Sequence, residues 1–509
     1  MFQANKRIRH KMFATTLAFG LCLSISSSYV SANAAKDNLV VGATQGIPQL
    51  NPIIRTLTYE DTLFPLLWSA LTKYKENGEV GPDLATSWTS DDTGTQWTFN
   101  LRARAKFSDG TPINAETVKS VFEYALNPKT VTQERNKIAM ISSITASNLK
   151  VTFNLSAPNG FFPAAITNIK MIKVNEVPNF NVNPTSSGPY MVKAFTPNVS
   201  VTMVKNPNYY GLQPKMREVK FVVSGDATAA VTSLRVGDID VLWQLPLASA
   251  APLKSDKNLR IVKARVSTTA VTWEYDLTSA PFNNLKARQA LAYSVNRAAI
   301  AKSAYFGYGK VSSYNSIIPD KSIWNCSAEG GLTAYSYDLQ KAKALFEEAG
   351  VKEFSWWGRS DARPEFDAMG QILQASLKTI GVKVNIVNVD RNTWLAKFYP
   401  AGKSYPGFVL PNFQSNPAEP AFGMNFLLSG RAESNWNNAT YDALYKKAIG
   451  IPGVKERKVA WCEAQKLENK ELPLITPVVY DVLHGARSNL RGAWVEGGGQ
   501  LHLDTAYLN

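Results

Sequence analysis

The stretch LATSWTSDDTGTQWTFNLRARAKFSDGTPINAETVKSVFEYAL, Leu84 to Leu126, decides the fold. Its middle alternates with period two: Trp97, Phe99 and Leu101 on one face, Thr98, Asn100 and Arg102 on the other. That is the pattern of a half-buried strand. Asp91-Asp92-Thr93-Gly94 and Ser108-Asp109-Gly110 are turn sequences, in which glycine takes a positive φ without a steric cost. Asn114 is an N-cap, and Val118, Val121, Phe122 and Ala125 then recur at helical spacing. The stretch therefore predicts strand, strand, turn and capped helix. It holds no nucleophile–base pair and no cluster of metal ligands, so by itself it is scaffold.

Three segments in it, DLATSWT (83–89), WTFNLRARAKFSDGTP (97–112) and INAETVKSVFEYAL (113–126), resemble the signature of the bacterial extracellular solute-binding proteins of family 5, the peptide/nickel/opine class. These are the soluble receptors of ABC importers. Later segments resemble the family in order. Ser186-Ser187-Gly188-Pro189-Tyr190 is similar to its Gly-Thr-Gly-Pro-Tyr turn, and Asn206-Pro207-Asn208-Tyr209-Tyr210-Gly211 to its next turn. Gly237 to Asp240 fits Gly-x-x-Asp, and Arg288 to Arg297 matches closely, with Asp276 and Asn296 standing where the family carries Asn and Asp. The resemblance implies an α/β fold of two lobes, the large class with an extra subdomain: mixed sheets flanked by helices, and a ligand cleft between the lobes.

The chain of 509 residues is 45% hydrophobic, enough for two or three domains. Residues 1–34 read as a signal peptide. Lys6, Arg7, Arg9 and Lys11 precede a short apolar run, Phe13 to Ile25, and Ala32-Asn33-Ala34 is a cleavage site. The run is shorter than the roughly 20 residues of a spanning helix. Leu21 before Cys22 is too large for lipoprotein processing, so a free, periplasmic protein is expected rather than a lipid-anchored one. Beyond the leader remain Cys326 and Cys462, which form either a disulfide or two buried thiols. Of 55 Lys and Arg and 40 Asp and Glu, only four basic residues lie in the leader, so the rest carries a net +11. The basic residues are scattered, without a run of five, which argues against nucleic acid. The sign favours an anionic small ligand.

The expected division is 35–272 for lobe I, including an extra subdomain at about 66–182, 273–478 for lobe II, and 479–509 for a return to lobe I. In lobe I, Asn38 to Ala43 is a strand, the loop with Gln45 and Gly46 follows, and Thr62 to Leu71 reads as a helix. By the resemblance that loop lines the cleft. In lobe II, strands near 354–357, 382–389 and 408–410 alternate with helices near 338–349, 365–379 and 392–398. Such alternation implies crossovers and a parallel sheet, with ligand beyond the carboxyl ends of the strands. That places Gly358-Arg359-Ser360, Asp390-Arg391 and Pro411 to Asn416 at the cleft. Two crossings between lobes, near Trp273 and near Val479, make a hinge.

No G-x-S-x-G, H-E-x-x-H, C-x-x-C, Walker A or G-x-G-x-x-G occurs, and only His484 and His502 lie beyond the leader. Neither an enzyme nor a resident metal or cofactor is expected. The binding candidates are aromatic and basic. Arg359 precedes a helix N-terminus, where a carboxylate or phosphate meets a guanidinium and free N–H groups; Arg391 and Arg363 follow the same logic. Of Trp356 and Trp357, on opposite faces of one strand, one reaches ligand and the other is core. Trp273 either stacks on ligand or packs. The peptide receptors of the class share a Trp-x-x-Asp loop whose Asp pairs with the peptide's amino terminus. The matching segment here is Phe413-Gln414-Ser415-Asn416, preceded by Asn412, with neutral Asn416 in place of Asp. Glu419 supplies the charge only if the alignment shifts. The resemblance thus tilts toward anionic or neutral conjugates: opines, sugar-phosphate conjugates or oligosaccharides, with peptide-like solutes still open. The expected partners are a small-molecule ligand and the inner-membrane permease, the receptor acting as a monomer. An exported hydrolase and an envelope chaperone-like protein are the alternatives.

Overall fold

The computed structural model describes residues 36–54, 58–132, 134–312, 314–358, 363–398, 404–415, 419–431 and 435–509. The leader lies outside them.

Two seven-stranded sheets organise the chain. The first runs Leu259–Val262, His484–Arg487, Val241–Leu242, Asn38–Ala43, Glu218–Val223, Ser200–Lys205, Tyr190–Thr196. Asn38–Ala43 sits at its centre, parallel to Glu218–Val223 and to Val241–Leu242, while the outer pairs are antiparallel. The second runs Gly309–Val311, Val478–Tyr480, Thr269–Glu274, Phe408–Ser415, Glu353–Gly358, Lys383–Asn388, with Leu474–Ile475 also on Thr269–Glu274. It is parallel only around Glu353–Gly358; the other pairs are antiparallel. Each sheet centres one lobe.

The opening stretch builds a four-stranded antiparallel sheet, Ala85–Ser90, Gln96–Leu101, Lys150–Leu155, Ile141–Ser147. Trp97, Phe99 and Leu101 turn inward, as the alternation requires. Helix Ala115–Leu126 covers them with Val118, Val121, Phe122 and Ala125. The Phe122 and Phe153 rings lie 4.7 Å apart, and Phe99 meets Phe153 edge to face at 5.7 Å. Asn114 Oδ1 accepts from the Thr117 amide at 3.0 Å and caps the helix.

Two sequence expectations change. The helix near residue 62 spans Glu60–Leu67 and stops before Leu71. Beyond it, the Ser69 and Ala70 amides donate to Ser187 Oγ and Asp83 Oδ2, at 3.0 and 2.9 Å, and these bonds replace helical ones. The strand expected at 408–410 continues to Ser415, so most of the expected loop is ladder paired to Thr269–Glu274. Pro411 and Asn412 read as a break. At Pro411, however, only Thr269–Glu274 pairs with the strand among the described residues, and a one-sided strand tolerates a residue without an N–H.

The chain passes between lobes at 263–268 and 481–483. A carboxylate ties the two links together. Asp481, 1% exposed, accepts from Lys310 Nζ at 2.7 Å and Ser267 Oγ at 2.5 Å, and pairs with Lys263. Burial pushes its pKa up, but these donors outweigh burial and hold it below the usual carboxylate range. Farther out in lobe II, Cys326 and Cys462 form a disulfide, with Cα atoms 5.4 Å apart.

Candidate functional site

A cavity of about 110 Å³ lies between helix Glu60–Leu67, the Ala164–Lys170 loop and the C-terminal hairpin, with Phe422 of lobe II on its edge. Local chemistry fixes each wall. Thr62 Oγ1 accepts from the Trp243 indole at 3.1 Å and from the Leu501 amide at 3.4 Å, which clamps the hairpin to the helix. His502 stacks flat on Trp494, centroids 3.8 Å apart, and its Nε2 lies 3.3 Å from Glu496 Oε2. Asp83 is spent on structure: Oδ1 accepts from Tyr210 OH at 2.7 Å, and Oδ2 takes the Ala70 amide.

Other groups lining the cavity are unsatisfied by the protein. Tyr74 OH, Gln500 Oε1 and Asp504 Oδ1 are buried and have no hydrogen-bond partner among the described residues. A buried polar atom left unpaired costs about 1–3 kcal/mol, so such atoms favour water or a polar ligand. Lys73 and Lys170 add positive charge to the same walls. The arrangement offers acceptors and cations to one small space.

The cavity wall reaches the hinge. Gly497 packs on Thr268 of the first link, whose amide donates to Gly497 O at 2.8 Å. Gly499, at φ +96°, lies so close to Val482 of the second link that a Cβ would meet Val482 Cγ2 at 2.7 Å. His484 Nε2 lies 3.0 Å from Gly499 O, and its Nδ1 accepts from the Gln244 amide at 3.2 Å. Burial pushes His484 down to about 4, against a smaller upward pull from the Gly499 carbonyl. It is therefore neutral, with its proton on Nε2.

The sequence-predicted residues whose side chains are described do not line this cavity. Arg359 and Asn416 lie outside the described residues, as do the side chains of Arg391 and Phe413. Gln45 and Gly46 follow the central strand and line a separate, smaller space against Val199–Val201. Trp273 is fully buried and meets Trp356 edge to face at 4.9 Å; of its two readings the structure shows packing. Trp356 and Trp357 do point to opposite faces, but both are buried. Trp357, 4% exposed, packs edge to face on Phe408 at 4.6 Å, in a cluster with Trp394, Tyr405 and Leu410. Helices cover this sheet on both faces, so neither side of the strand is free. Asn412 Nδ2 donates to Glu274 Oε2 at 3.4 Å within the ladder. At Asp390-Arg391 the helix N-terminus is already capped: Asp390 Oδ1 takes the Asn392 and Thr393 amides at 2.9 and 3.0 Å. Glu419, the reserve counter-charge, is also committed. It is buried against Arg457, Nε to Oε1 3.2 Å and Nη2 to Oε2 3.3 Å, and the Trp461 indole donates to it at 3.3 Å.

The groups that line the cavity escaped sequence reading because residues 62, 74, 422, 500 and 504 meet only in the fold. The orphaned Gln500 and Asp504 sit in a glycine-rich tail with no motif to mark them. Among the described residues one cluster has metal-ligand spacing, Cys326, Glu329 and Cys462, but the disulfide consumes both sulfurs.

The probable D,D-dipeptide-binding periplasmic protein DdpA of Escherichia coli (strain K12) is 27% identical over 477 residues, 88% of this chain and 90% of that protein. The glutathione-binding protein GsiB of Salmonella typhimurium is 27% identical over 515 residues, 96% of each. The ABC transporter substrate-binding protein CtaP of Listeria monocytogenes superposes with a TM-score of 0.83 at 20% identity, covering 93% of this chain and 99% of that one, and so shares the two-lobed fold. The profile of the bacterial extracellular solute-binding proteins, family 5 Middle, matches residues 79–435, and the chain belongs to that family.

Proposed function

We propose that this protein is the periplasmic receptor of an ABC importer, and that it captures a small dipolar solute of peptide-like size between its lobes without chemical change. The observation that carries the reading is the cavity beside helix Glu60–Leu67, where Tyr74 OH, Gln500 Oε1 and Asp504 Oδ1 lack protein partners near Lys73 and Lys170. Acceptors suit an ammonium group and lysines suit a carboxylate. One relative is named for D,D-dipeptides and another for glutathione, compounds that carry both groups. Capture shifts the population toward the closed state, which the permease reads. From lobe II, Arg359, Arg391, Phe413 and Asn416 are assigned as candidate contacts of the ligand, and from lobe I Gln45 and Gly46. We assign the residues up to 262 and from 484 onward to lobe I and 269–480 to lobe II, with 263–268 and 481–483 as the links, and the receptor acts as a monomer after removal of residues 1–34.

A thermal-shift screen of the protein without its leader tests the reading, using di- to pentapeptides, opines, sugar phosphates, oligosaccharides and nickel chelates. Ligand at a hundredfold over Kd adds about 2.7 kcal/mol of stability. A shift with peptides, lost in Asp504→Asn, supports the dipolar assignment. A shift confined to sugar phosphates would replace it with the anionic reading centred on Arg359. No shift with any compound would sink both.

A further inference from the structure

The lobes touch at a second place, far along the chain from both links. The Asn159–Phe161 loop of the four-stranded region meets the Ile449–Arg457 turn of lobe II. The Gly160 amide donates to Ile449 O at 2.6 Å, and Arg457 Nη1 donates to Gly160 O at 3.1 Å. The same guanidinium holds Ile451 O and Pro452 O, both at 2.8 Å, so it shapes the turn that it presents across the seam. Phe161 meets Phe422 edge to face at 5.5 Å, and Lys137 Nζ lies 5.7 Å above the Phe422 ring. Arg457 cannot leave, because its charge is matched by buried Glu419. The loop and the turn fit only because residue 160 is glycine: a Cβ there would overlap the Ile451 carbonyl, and its three nearest neighbours would all be backbone atoms of Ile451 and Pro452.

We propose that this seam is a clasp that favours lobe closure independently of any solute, with Gly160 as its keyhole and the Arg457-held turn as its key. One backbone hydrogen bond, one guanidinium–carbonyl bond and an aromatic contact are enough to move a two-state population about tenfold. A population biased toward closure lowers the conformational cost of capture, and the clasp must open for solute to enter or leave. The seam borders a cavity of about 290 Å³ lined by Trp97, Phe161, Trp324 and Pro452.

Gly160→Ala tests this. Its φ lies outside the left-handed region, so alanine strains no backbone, and the nearest obstacles belong to the other lobe. The experiment uses solute-free protein without its leader, small-angle X-ray scattering for the radius of gyration, and amide hydrogen exchange at 159–161 and 449–452. The expected result is a larger radius of gyration with exchange at both segments faster by about tenfold, a single contact's worth of opening. Phe161→Leu should give the same changes in smaller measure, and it stands in if the alanine variant misfolds by circular dichroism. An unchanged radius of gyration, or no protection of the Gly160 amide in the unsubstituted protein, overturns the clasp. Because no solute is added, the outcome is separate from the ligand assignment above.

Discussion

His484 shows how much one side chain can settle. It is fully buried on the strand that brings the chain back to lobe I, and both ring nitrogens are used. Its ordinary value near 6.5 falls to about 4 in the fold. As pH drops below 6.5 the unfolded chain takes a proton that the native chain refuses, so the contribution of His484 to native stability falls until about pH 4. The loss amounts to about 3 kcal/mol. His484→Gln, which keeps a donor and an acceptor but cannot titrate, is expected to flatten the melting temperature between pH 6.5 and 4; a profile as steep as the original would contradict this. At this scale the sequence does not tell what a side chain meets in the fold. Trp357 and Trp273 invite a stacking role, yet both are core, and Glu419 is a partner of Arg457 rather than a free charge. Local sequence gives a residue's chemistry but not what lies opposite it.

Whole elements were much easier to read. The alternation of 97–101, the Asn114 cap and the apolar positions 118, 121, 122 and 125 appear in the structure as the sequence places them. Each of these signals is local, resting on neighbours within one or two turns. Asn114→Ala removes the acceptor for the Thr117 amide and should lower stability by about 1 kcal/mol in denaturant titration, with an unchanged dependence on denaturant. The strand Phe408–Ser415 is longer than its local sequence indicates because its ladder partner, Thr269–Glu274, lies far upstream, with Leu410 opposite Glu274, and no local pattern encodes a partner. The same reason hid the cavity.

Across the whole molecule, Asp481 draws together residues that a shared carboxylate would otherwise leave to separate lobes. Its pKa is depressed, so its contribution is present above the ordinary carboxylate value of 3.8 and is lost as pH falls through its lower folded value. Lys263 and Lys310 are each partly exposed, so screening limits the effect. Asp481→Asn should therefore lower stability by about 2 kcal/mol at pH 7, and the difference from the original should vanish in strong acid. The disulfide acts on a different quantity. It joins residues 136 apart, and closing so long a loop restricts the unfolded chain. Cys326→Ala with Cys462→Ala is expected to cost about 2–5 kcal/mol in thermal unfolding, and an equal melting temperature would show that lobe II does not depend on the bond. The first sheet has a further consequence. Its central strand, Asn38–Ala43, is among the earliest described residues, and its neighbour's partner, His484–Arg487, is among the last. Lobe II draws its sheet from one unbroken span, whereas lobe I must wait for the far end of the polypeptide. Synthesis from the amino end therefore delivers Asn38–Ala43 well before His484–Arg487, and the first sheet is completed only after every strand of the second has been made.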